Sequence, residues 1–223
     1  MSVGREKLSD GGRASRRNAR TSPSGKEPRV SKQEIIDAAA RVFMKRGFEA
    51  ATVRDIARAA NVSQGTLYYH IGSKTNALLE LHNSFVDVMI RRLSEVESAP
   101  LPPQRKVREF IGVMLEAVES NGDRMALWLR ERRSLPPKGR AQLRAKADRI
   151  DDILRSILEE GRQNGCWRDV PLTSARMAIF GMVSWATEWL DTSGPKSASE
   201  LADDFADLVL TGLLQQGWDR RDS

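Results

Sequence analysis

Six residues between positions 64 and 70 are of types suited to contacting DNA: Gln64, Gly65, Thr66, Tyr68, Tyr69 and His70. Glutamine can make a bidentate hydrogen bond to adenine, threonine offers a methyl group and a hydroxyl to a base edge, and glycine permits close approach of the backbone. The tyrosine hydroxyls, the histidine and the nearby Lys74 suit phosphate oxygens, which fix register without reading sequence. These residue types at this spacing predict a DNA-contacting surface.

Two short helices joined by a tight turn must position this surface. Thr52 and Asp55 form a near-match to a capping box, which predicts a helix start at residue 52. Asn61 tolerates the left-handed conformation that a helix end often needs, and Ser63 is a good N-cap for the second helix, whose Leu67 points inward. Thr52 and Ser63, at the two helix starts, complete the predicted DNA-binding residues. The pattern is typical of a helix-turn-helix, and the alternative is an ordinary helical hairpin with a polar surface.

Residues 52–74 resemble the signature of the tetracycline-repressor (TetR) family of bacterial one-component regulators. The residues that carry the resemblance read Thr-Val-x-x-Ile-Ala-x-x-Ala-Asn-Val-Ser-x-Gly-Thr-Leu-Tyr-Tyr-His-Ile-x-x-Lys, and with the preceding helix they cover residues 31–82. Ile71 stands where most members have phenylalanine, and it fills the same apolar position. The resemblance implies a three-helix DNA-binding domain followed by a larger helical domain that binds a small ligand and dimerises. It also implies base contacts from Gln64 and Thr66, and phosphate contacts from Thr52, Tyr68, His70 and Lys74.

The composition argues against several other classes of protein. Cys166 is the single cysteine, which excludes an intramolecular disulfide, and with only His70 and His82 beside it we expect no metal site. We also expect no cofactor and no enzymatic activity, because the sequence lacks paired carboxylates at catalytic spacing, a nucleophile–base set and a phosphate-binding loop. No apolar run approaches the ~20 residues that span a bilayer, which predicts a cytoplasmic protein with no membrane partner.

Helical periodicity extends over the rest of the chain without a strand pattern, so the predicted fold is all-α. The first helix starts at Ser31, where Glu34 completes a capping box, and ends at Gly47, with Phe48 folding back onto it. A long helix over 73–98 follows the helix-turn-helix, and its predicted inward residues are Leu78, Leu79, Leu81, Phe85, Val88, Met89 and Leu93. Further helices are predicted over 107–118, 123–133, 141–163, 173–190 and 199–216.

These helices and the charge distribution divide the chain into four parts. They are a disordered basic tail over 1–30, a helix-turn-helix domain over 31–76, an effector-binding and dimerisation domain over 77–216, and a C-terminal tail over 217–223. Residues 1–30 carry eight basic and three acidic side chains, whereas residues 150–223 carry seven basic and thirteen acidic ones. This asymmetry favours docking of the N-terminal end on a polyanion. The tail arginines either follow the DNA backbone as an arm or only keep the chain in solution; they are Arg13, Arg16, Arg17 and Arg20.

The last two predicted helices are apolar over more than one face, which a terminal helix usually needs only when it has a partner. The predicted dimer interface comprises Trp189, Phe205, Leu208, Val209 and Leu213. The resemblance implies that these helices pair with their copies in a four-helix bundle, so we expect a homodimer with twofold symmetry. Such a dimer would set two recognition helices about one DNA turn apart on a near-palindromic, double-stranded operator. The alternative is a monomer that buries both faces internally.

Bulky, adaptable side chains in the middle of the chain are candidates for an effector pocket. Methionine and aromatic side chains accommodate irregular apolar ligands, although they also fill ordinary cores. The predicted ligand-binding residues are Phe85, Met89, Met114, Met125, Trp128, Phe180 and Trp185, with Ile153 and Met177 as further candidates.

A run of eight basic residues between Arg130 and Arg149 indicates which effector the pocket could take. Beside an apolar interior, such a run would suit an amphipathic anion, for example an acyl chain on coenzyme A (acyl-CoA) or another lipid-like anion. The pair Trp185-x-x-x-Trp189 and the late Gly212 are similar to a branch of the family that regulates lipid or sterol breakdown. The alternative is a solvated charged face.

Three functions are therefore open at this point. The first is a transcriptional repressor that a small-molecule effector releases from DNA. The second is a DNA-binding activator or architectural protein without an effector, which no small molecule would affect. The third is an all-α enzyme, against which the missing catalytic groups stand.

Overall fold

The computed structural model describes residues 30–190 and 194–214, and over these ranges the chain is helical without a strand, which confirms the predicted all-α class. The predicted basic tail, apart from Val30, and the C-terminal tail lie outside the described residues. The helices are α1 (Lys32–Arg46), α2 (Val53–Ala59), α3 (Gln64–Ile71), α4 (Lys74–Ser98), α5 (Pro103–Glu131), α6 (Pro137–Gln163), α7 (Leu172–Trp189) and α8 (Ala198–Leu214), with a 3₁₀ turn at Arg132–Ser134 between α5 and α6. None of the described helices is both long and apolar enough to cross a bilayer.

Local side-chain caps fix where the first helices begin. The Ser31 backbone N–H donates to Glu34 Oε2 at 2.7 Å, and the Glu34 N–H donates to Ser31 Oγ at 3.2 Å. Thr52 and Asp55 form the same reciprocal pair at the start of α2, with both bonds at 3.1 Å. Each cap satisfies backbone donors that a helix start leaves open, and is typically worth ~1 kcal/mol. The predicted capping boxes are thus confirmed.

Two apolar clusters form the interior, and α4 contributes to both. The first joins α1, α2 and α3 to the start of α4 around Phe43, Ile56 and Leu67. The second joins the rest of α4 to α5–α8, and α5 lies at its centre in contact with all the other helices of this region. The predicted boundary at residue 76 therefore falls inside a helix that the two clusters share.

The two clusters are also joined away from α4. Leu127 at the end of α5, Leu135 before α6 and Leu143 on α6 are buried in the N-terminal cluster. Near them, Arg124 Nη2 on α5 lies 2.7 Å from Asp37 Oδ1 on α1. The segment between α5 and α6 thus packs against the helix-turn-helix region, which gives a second route between the two parts of the chain.

Several helix boundaries differ from prediction. The helices predicted over 107–118 and 123–133 run together as α5, which begins at Pro103, and the non-helical backbone of Asn121 (φ −135°, ψ 18°) forms a kink at the predicted break between them. Helix α6 begins at Pro137, four residues earlier than predicted, because proline is favoured in the first helical turn, where its missing N–H is not needed. Helix α8 begins at Ala198 because Ser197 and Glu200 form a capping box that the prediction overlooked.

One predicted inward residue of α4 is wrong. Val88 is exposed, whereas its neighbour Met89 is buried in the C-terminal cluster. Successive helical residues point about 100° apart, so the packing of one of this pair turns the other outward.

A tryptophan packs against the end of α6 and hydrogen-bonds to it. The Trp167 indole N–H donates to the Leu158 carbonyl at 2.8 Å, and the ring lies against Gly161 so closely that a Cβ on this glycine would be 2.2 Å from ring atoms. Position 161 therefore requires glycine for space.

Candidate DNA interface and effector region

Helix α3 presents the predicted DNA-contacting residues on its outer side. Leu67 and Ile71 are buried in the N-terminal cluster and fix the orientation of the helix. Tyr68 and Tyr69 are 51% and 86% exposed, although large aromatic side chains next to an apolar cluster are usually more buried. Gln64 is exposed as well. The structure thus brings together polar and aromatic groups on a helix face that is exposed among the described residues.

The start of α3 is held by hydroxyl groups. Ser63 Oγ accepts the Thr66 backbone N–H at 3.0 Å and shares a 2.8 Å hydrogen bond with Thr66 Oγ1. Gly65 lies between them, and a Cβ at this position would meet only Ser63 Oγ, at an ordinary 3.7 Å. Packing inside the protein therefore does not require glycine at position 65, which leaves the outer surface open for close approach.

The turn between α2 and α3 contains an asparagine in the left-handed conformation, as the sequence predicted. Asn61 has φ 54°, in the left-handed region, and the Val62 N–H donates to the Ala57 carbonyl at 3.0 Å. This hydrogen bond satisfies a carbonyl at the end of α2 and sets the direction in which the chain enters α3. Val62 itself is half-buried against the N-terminal cluster.

Thr52 and Asp55 form a small polar network with Arg46 at the start of α2. The Thr52 hydroxyl donates to Asp55 Oδ2 at 2.7 Å, and Arg46 Nη1 lies 3.0 Å from Asp55 Oδ1. The hydrogen bond from the Thr52 side chain is the main reason why the pKa of Asp55 is lowered, with the charges of Arg46 and Arg58 adding to it. The carboxylate therefore stays ionised and holds the end of α1 against the start of α2.

Lys74 has an internal role that the sequence did not reveal. Its ammonium donates to the carbonyls of Phe48 at 2.7 Å and Glu49 at 3.1 Å, and it lies 4.4 Å from the centre of the Phe48 ring. These contacts tie the loop after α1 to the start of α4. A phosphate contact by Lys74 would have to use its third N–H or replace one of these bonds.

His70 is half-buried, with its ring edge-on to Tyr69 at a centroid distance of 5.2 Å.

Most predicted effector-binding residues lie in or against the C-terminal cluster. Phe85, Met89 and Met114 are buried, and Met125 and Phe180 pack against the same cluster. Ile153 belongs to the cluster too. The side chain of Trp128 lies outside the described residues.

Two of the predicted effector-binding residues, a tryptophan and a methionine, point away from the C-terminal cluster. Trp185 is 66% exposed and Met177 is 65% exposed, on the outer side of α7. The inner side of this helix is occupied by Ile179, Val183 and Ala186, which are all buried. The prediction of Trp185 and Met177 as pocket residues is therefore wrong for the isolated chain, because the other helical face packs into the core.

The basic run, which extends from the end of α5 into α6, is partly neutralised by carboxylates of α4. The Lys146 ammonium donates to Asn83 Oδ1 at 2.6 Å and pairs with Asp87, and Arg149 donates to Glu97 at 2.8 Å. Both cations line an open groove of about 440 Å³ between α4 and α6. His82 lies beside this groove, and burial together with the Lys146 charge lowers its pKa to about 4.

The outer faces of α7 and α8 form an exposed apolar surface. On α7 the exposed residues recur every four positions, at Met177, Gly181, Trp185 and Trp189, and α8 adds Leu208, which is 69% exposed. The interface predicted from the sequence omitted Met177, Gly181 and Trp185, although this four-residue spacing was readable.

The other residues predicted for the interface divide into two groups. Phe205 and Val209 are half-buried, and the Phe205 ring lies 6.2 Å from that of Trp189. The prediction of Leu213 is wrong, since it is 6% exposed inside the core of its own chain.

Two domain families match the chain in sequence. "Bacterial regulatory proteins, tetR family" matches residues 35–81, and "Tetracyclin repressor-like, C-terminal domain" matches residues 100–213. The first covers α1–α3 and the start of α4, and the second covers the helices that form the C-terminal cluster.

Individual relatives agree with these matches. The transcriptional repressor KstR2 of Mycolicibacterium smegmatis is 27% identical over 198 residues, which cover 87% of this chain and 96% of the relative. The crystal structure of the TetR-family regulator PfmR from Thermus thermophilus has a TM-score of 0.73 and 30% identity, over 83% of this chain and 99% of PfmR. AibR, solved with isovaleryl coenzyme A and operator DNA, has a TM-score of 0.68 and 25% identity over 79% and 96% of the two chains.

Proposed function

We propose, from the premise that the chain belongs to the TetR family of transcriptional regulators, that it is a repressor which a small-molecule effector releases from its operator. The observation that carries the proposal is the outer face of α3, where Gln64, Tyr68 and Tyr69 are exposed on a helix held from behind by Leu67 and Ile71. A polar, aromatic helix surface of this kind fits the major groove.

The contacts divide into those that read sequence and those that fix position. Gln64 and Thr66 would contact base edges, with Ser63 and Gly65 letting the start of α3 come close to the bases. The remaining predicted contacts would bind phosphates, through Thr52, Tyr68, Tyr69, His70 and Lys74.

The exposed apolar surface of α7 and α8 supports binding as a homodimer. Met177, Trp185 and Leu208 would be buried against their copies. Gly181 and Gly212 have no atom within 4 Å of the place where a Cβ would be, so partner helices could approach closely there. Twofold symmetry would make the operator a near-palindrome.

Selection of DNA tests the core of this proposal. The full chain, incubated with a random duplex library, should enrich a near-palindromic site, and the double variant Gln64→Ala/Thr66→Ala should enrich a less defined one. The exposed double variant Arg91→Ala/Arg144→Ala, away from α3, is the control and should select the same site as the wild type. Recovery of no preferred sequence by the wild-type chain would refute the proposal.

The effector that the interior suits best is an acyl-CoA. Its acyl chain would lie among Met89, Met114 and Phe180, whose flexible or partly exposed side chains can repack around an apolar group. The groove between α4 and α6 would take the coenzyme A phosphates on Lys146 and Arg149. The related AibR was solved with an acyl-CoA, which supports this class of ligand.

The same two cations suggest how the effector would release DNA. Lys146 and Arg149 on α6 now hold carboxylates of α4, and phosphates would compete with these carboxylates. Helix α4 leads directly from α3, so loosening its contacts with α6 would change the spacing of the two recognition helices. The coupling needed is typically ~1–3 kcal/mol.

Fluorescence anisotropy of the operator complex tests the effector. Acyl-CoA esters from isovaleryl to palmitoyl should lower operator affinity, and coenzyme A or the free acids alone should do so less. Lys146→Ala should reduce the response to acyl-CoA, whereas Arg144→Ala on the same helix should keep it. Operator binding that none of these compounds changes would favour a DNA-binding protein without this effector.

A further inference from the structure

A second cationic surface lies on the side of the N-terminal region, between α1 and α2. It is a groove of about 250 Å³ with the apolar residues Val42 and Ala59 in its lining, together with one carboxylate, Asp55, and four cations, Arg41, Lys45, Arg46 and Arg58. No residue of α3 lines it. We refer to it as the α1–α2 groove.

The charges of the α1–α2 groove are poorly balanced within the chain. Asp55 pairs with Arg46, and its second oxygen is occupied by Thr52. In the part of the chain that the structure describes, Arg41, Lys45 and Arg58 form no ion pair with a carboxylate, and all three side chains are exposed. Like charges so close together repel, which is tolerated most readily when an anionic partner completes the site.

The position of the α1–α2 groove places it next to the predicted backbone contacts. The ion pair of Arg46 with Asp55 sets the end of α1 beside Thr52, at the start of α2. The bonds of Lys74 to Phe48 and Glu49 bring the start of α4 to the same end of the domain. Because Asp55 both lines the groove and bonds to Thr52, one end of the groove lies beside Thr52, a predicted phosphate contact.

We propose that the α1–α2 groove binds the phosphate backbone of DNA that flanks the half-site read by α3. This inference rests on the proposed operator binding and extends it by a second, sequence-independent contact. Arginine and lysine side chains at a helical surface suit successive phosphates, which a duplex presents as a continuous row of charge. The chain's own N-terminal segment is an unsuitable occupant, because residues 1–30 carry an excess of five positive charges.

The test compares a short operator with a longer one. The selected operator is prepared as the minimal palindrome and as the same duplex with ten additional base pairs on each side. Kd is measured by anisotropy over a series of KCl concentrations for the wild type, for Lys45→Ala/Arg58→Ala, and for the control Arg91→Ala/Arg144→Ala. The test pair spares Arg46, whose ion pair fixes the domain, and both variants remove two exposed cations.

The test variant should differ from the wild type on only one of the two duplexes. On the extended operator, Lys45→Ala/Arg58→Ala should bind more weakly, and its plot of log Kd against log salt should be shallower by about 1.8, since each lost phosphate contact removes about 0.9. On the minimal operator it should match the wild type, and the control should match on both.

Two results would overturn the inference while leaving operator binding intact: equal slopes for wild type and test variant on the extended duplex, or an equal loss on both duplexes, which would indicate a general charge effect. A wild-type chain that binds neither duplex would refute operator binding itself, and the groove contact with it. Thermal unfolding of each variant verifies that the fold is retained.

Discussion

At the scale of single residues, the candidate DNA surface depends on side chains that would not contact DNA. Leu67 and Ile71 anchor α3 in the N-terminal cluster, so Tyr68, Tyr69 and Gln64 have no place in the interior. The hydroxyl of Ser63 holds the first turn. The side chains proposed to read bases and those proposed to bind phosphates therefore share one helix, but their substitutions should have different consequences.

Gln64→Ala and Tyr68→Ala should separate these two roles. Removing the glutamine should relax preference at one base position, with a loss of ~1–3 kcal/mol of discrimination. Removing the tyrosine should weaken matched and mismatched operators alike, because a phosphate contact carries no sequence information. Binding titrations of both variants on a matched and a singly mismatched operator measure the difference. Equal losses on both duplexes for both variants would contradict the assignment of roles.

His82 should make stability depend on pH. Burial, reinforced by the Lys146 charge, lowers the pKa of its imidazole from 6.5 to about 4. Folding therefore favours the neutral ring. This group leaves the free energy of unfolding unchanged above pH 6.5 and lowers it by up to about 3 kcal/mol as the pH falls toward 4. Urea unfolding between pH 7 and 4.5 should show this decline in the wild type and a weaker one in His82→Gln. Parallel curves would show that other groups cause the effect.

At the scale of elements, close contacts between helix ends restrict which residues can be exchanged. The end of α6 has Trp167 stacked on Gly161, and the buried ammonium of Lys106 joins the end of α4 to α6 through the Glu97 carbonyl at 2.9 Å and Glu160 at 2.8 Å. Long helices therefore depend on a few contacts near their ends as well as on the apolar cluster.

Gly161→Ala should destabilise the protein. The new Cβ would overlap the Trp167 ring at 2.2 Å, so the ring must shift and strain its bond to Leu158. Overpacking of this kind typically costs ~1–3 kcal/mol. Gly122→Ala is the matched control, since nothing lies within 4 Å of its new Cβ, and it should keep or raise stability. Thermal and urea unfolding of both variants measure the difference; equal stability of Gly161→Ala and the wild type would mean that the Trp167 ring can move without cost.

At the scale of the whole molecule, the candidate DNA surface and the exposed apolar surface lie on different helices. The N-terminal region presents α3 and the α1–α2 groove, whereas the exposed apolar surface lies on α7 and α8. A dimer formed through α7 and α8 would leave both recognition helices free. Its assembly would also be required for tight binding, because one half-site supplies only half of the contacts.

Trp185→Asp should convert the proposed dimer into monomers. The side chain is 66% exposed in the single chain, so its folding should be retained while a carboxylate is placed in the interface. Sedimentation should show the change in mass, and operator affinity should fall with it. Ser156→Asp, exposed on α6, adds the same charge elsewhere and should remain dimeric. A Trp185→Asp variant that stays dimeric would place the interface on another surface.

The sequence by itself determined the features that depend on neighbours along the chain. The caps at Ser31, Thr52 and Ser63 and the left-handed Asn61 were readable, because a capping side chain bonds to a backbone group within three residues. The same locality, together with the TetR resemblance, made the helix-turn-helix predictable.

Only the tertiary structure decided which side of an apolar helix faces inward and which distant groups meet. Leu208 and Leu213 are equally apolar, yet one is exposed and the other buried, and Trp185 lies outside because Val183 and Ala186 pack inside. Lys74 bonds to carbonyls 25 and 26 residues away. These outcomes depend on how helices pack against one another, and composition and periodicity do not distinguish two apolar faces of the same helix.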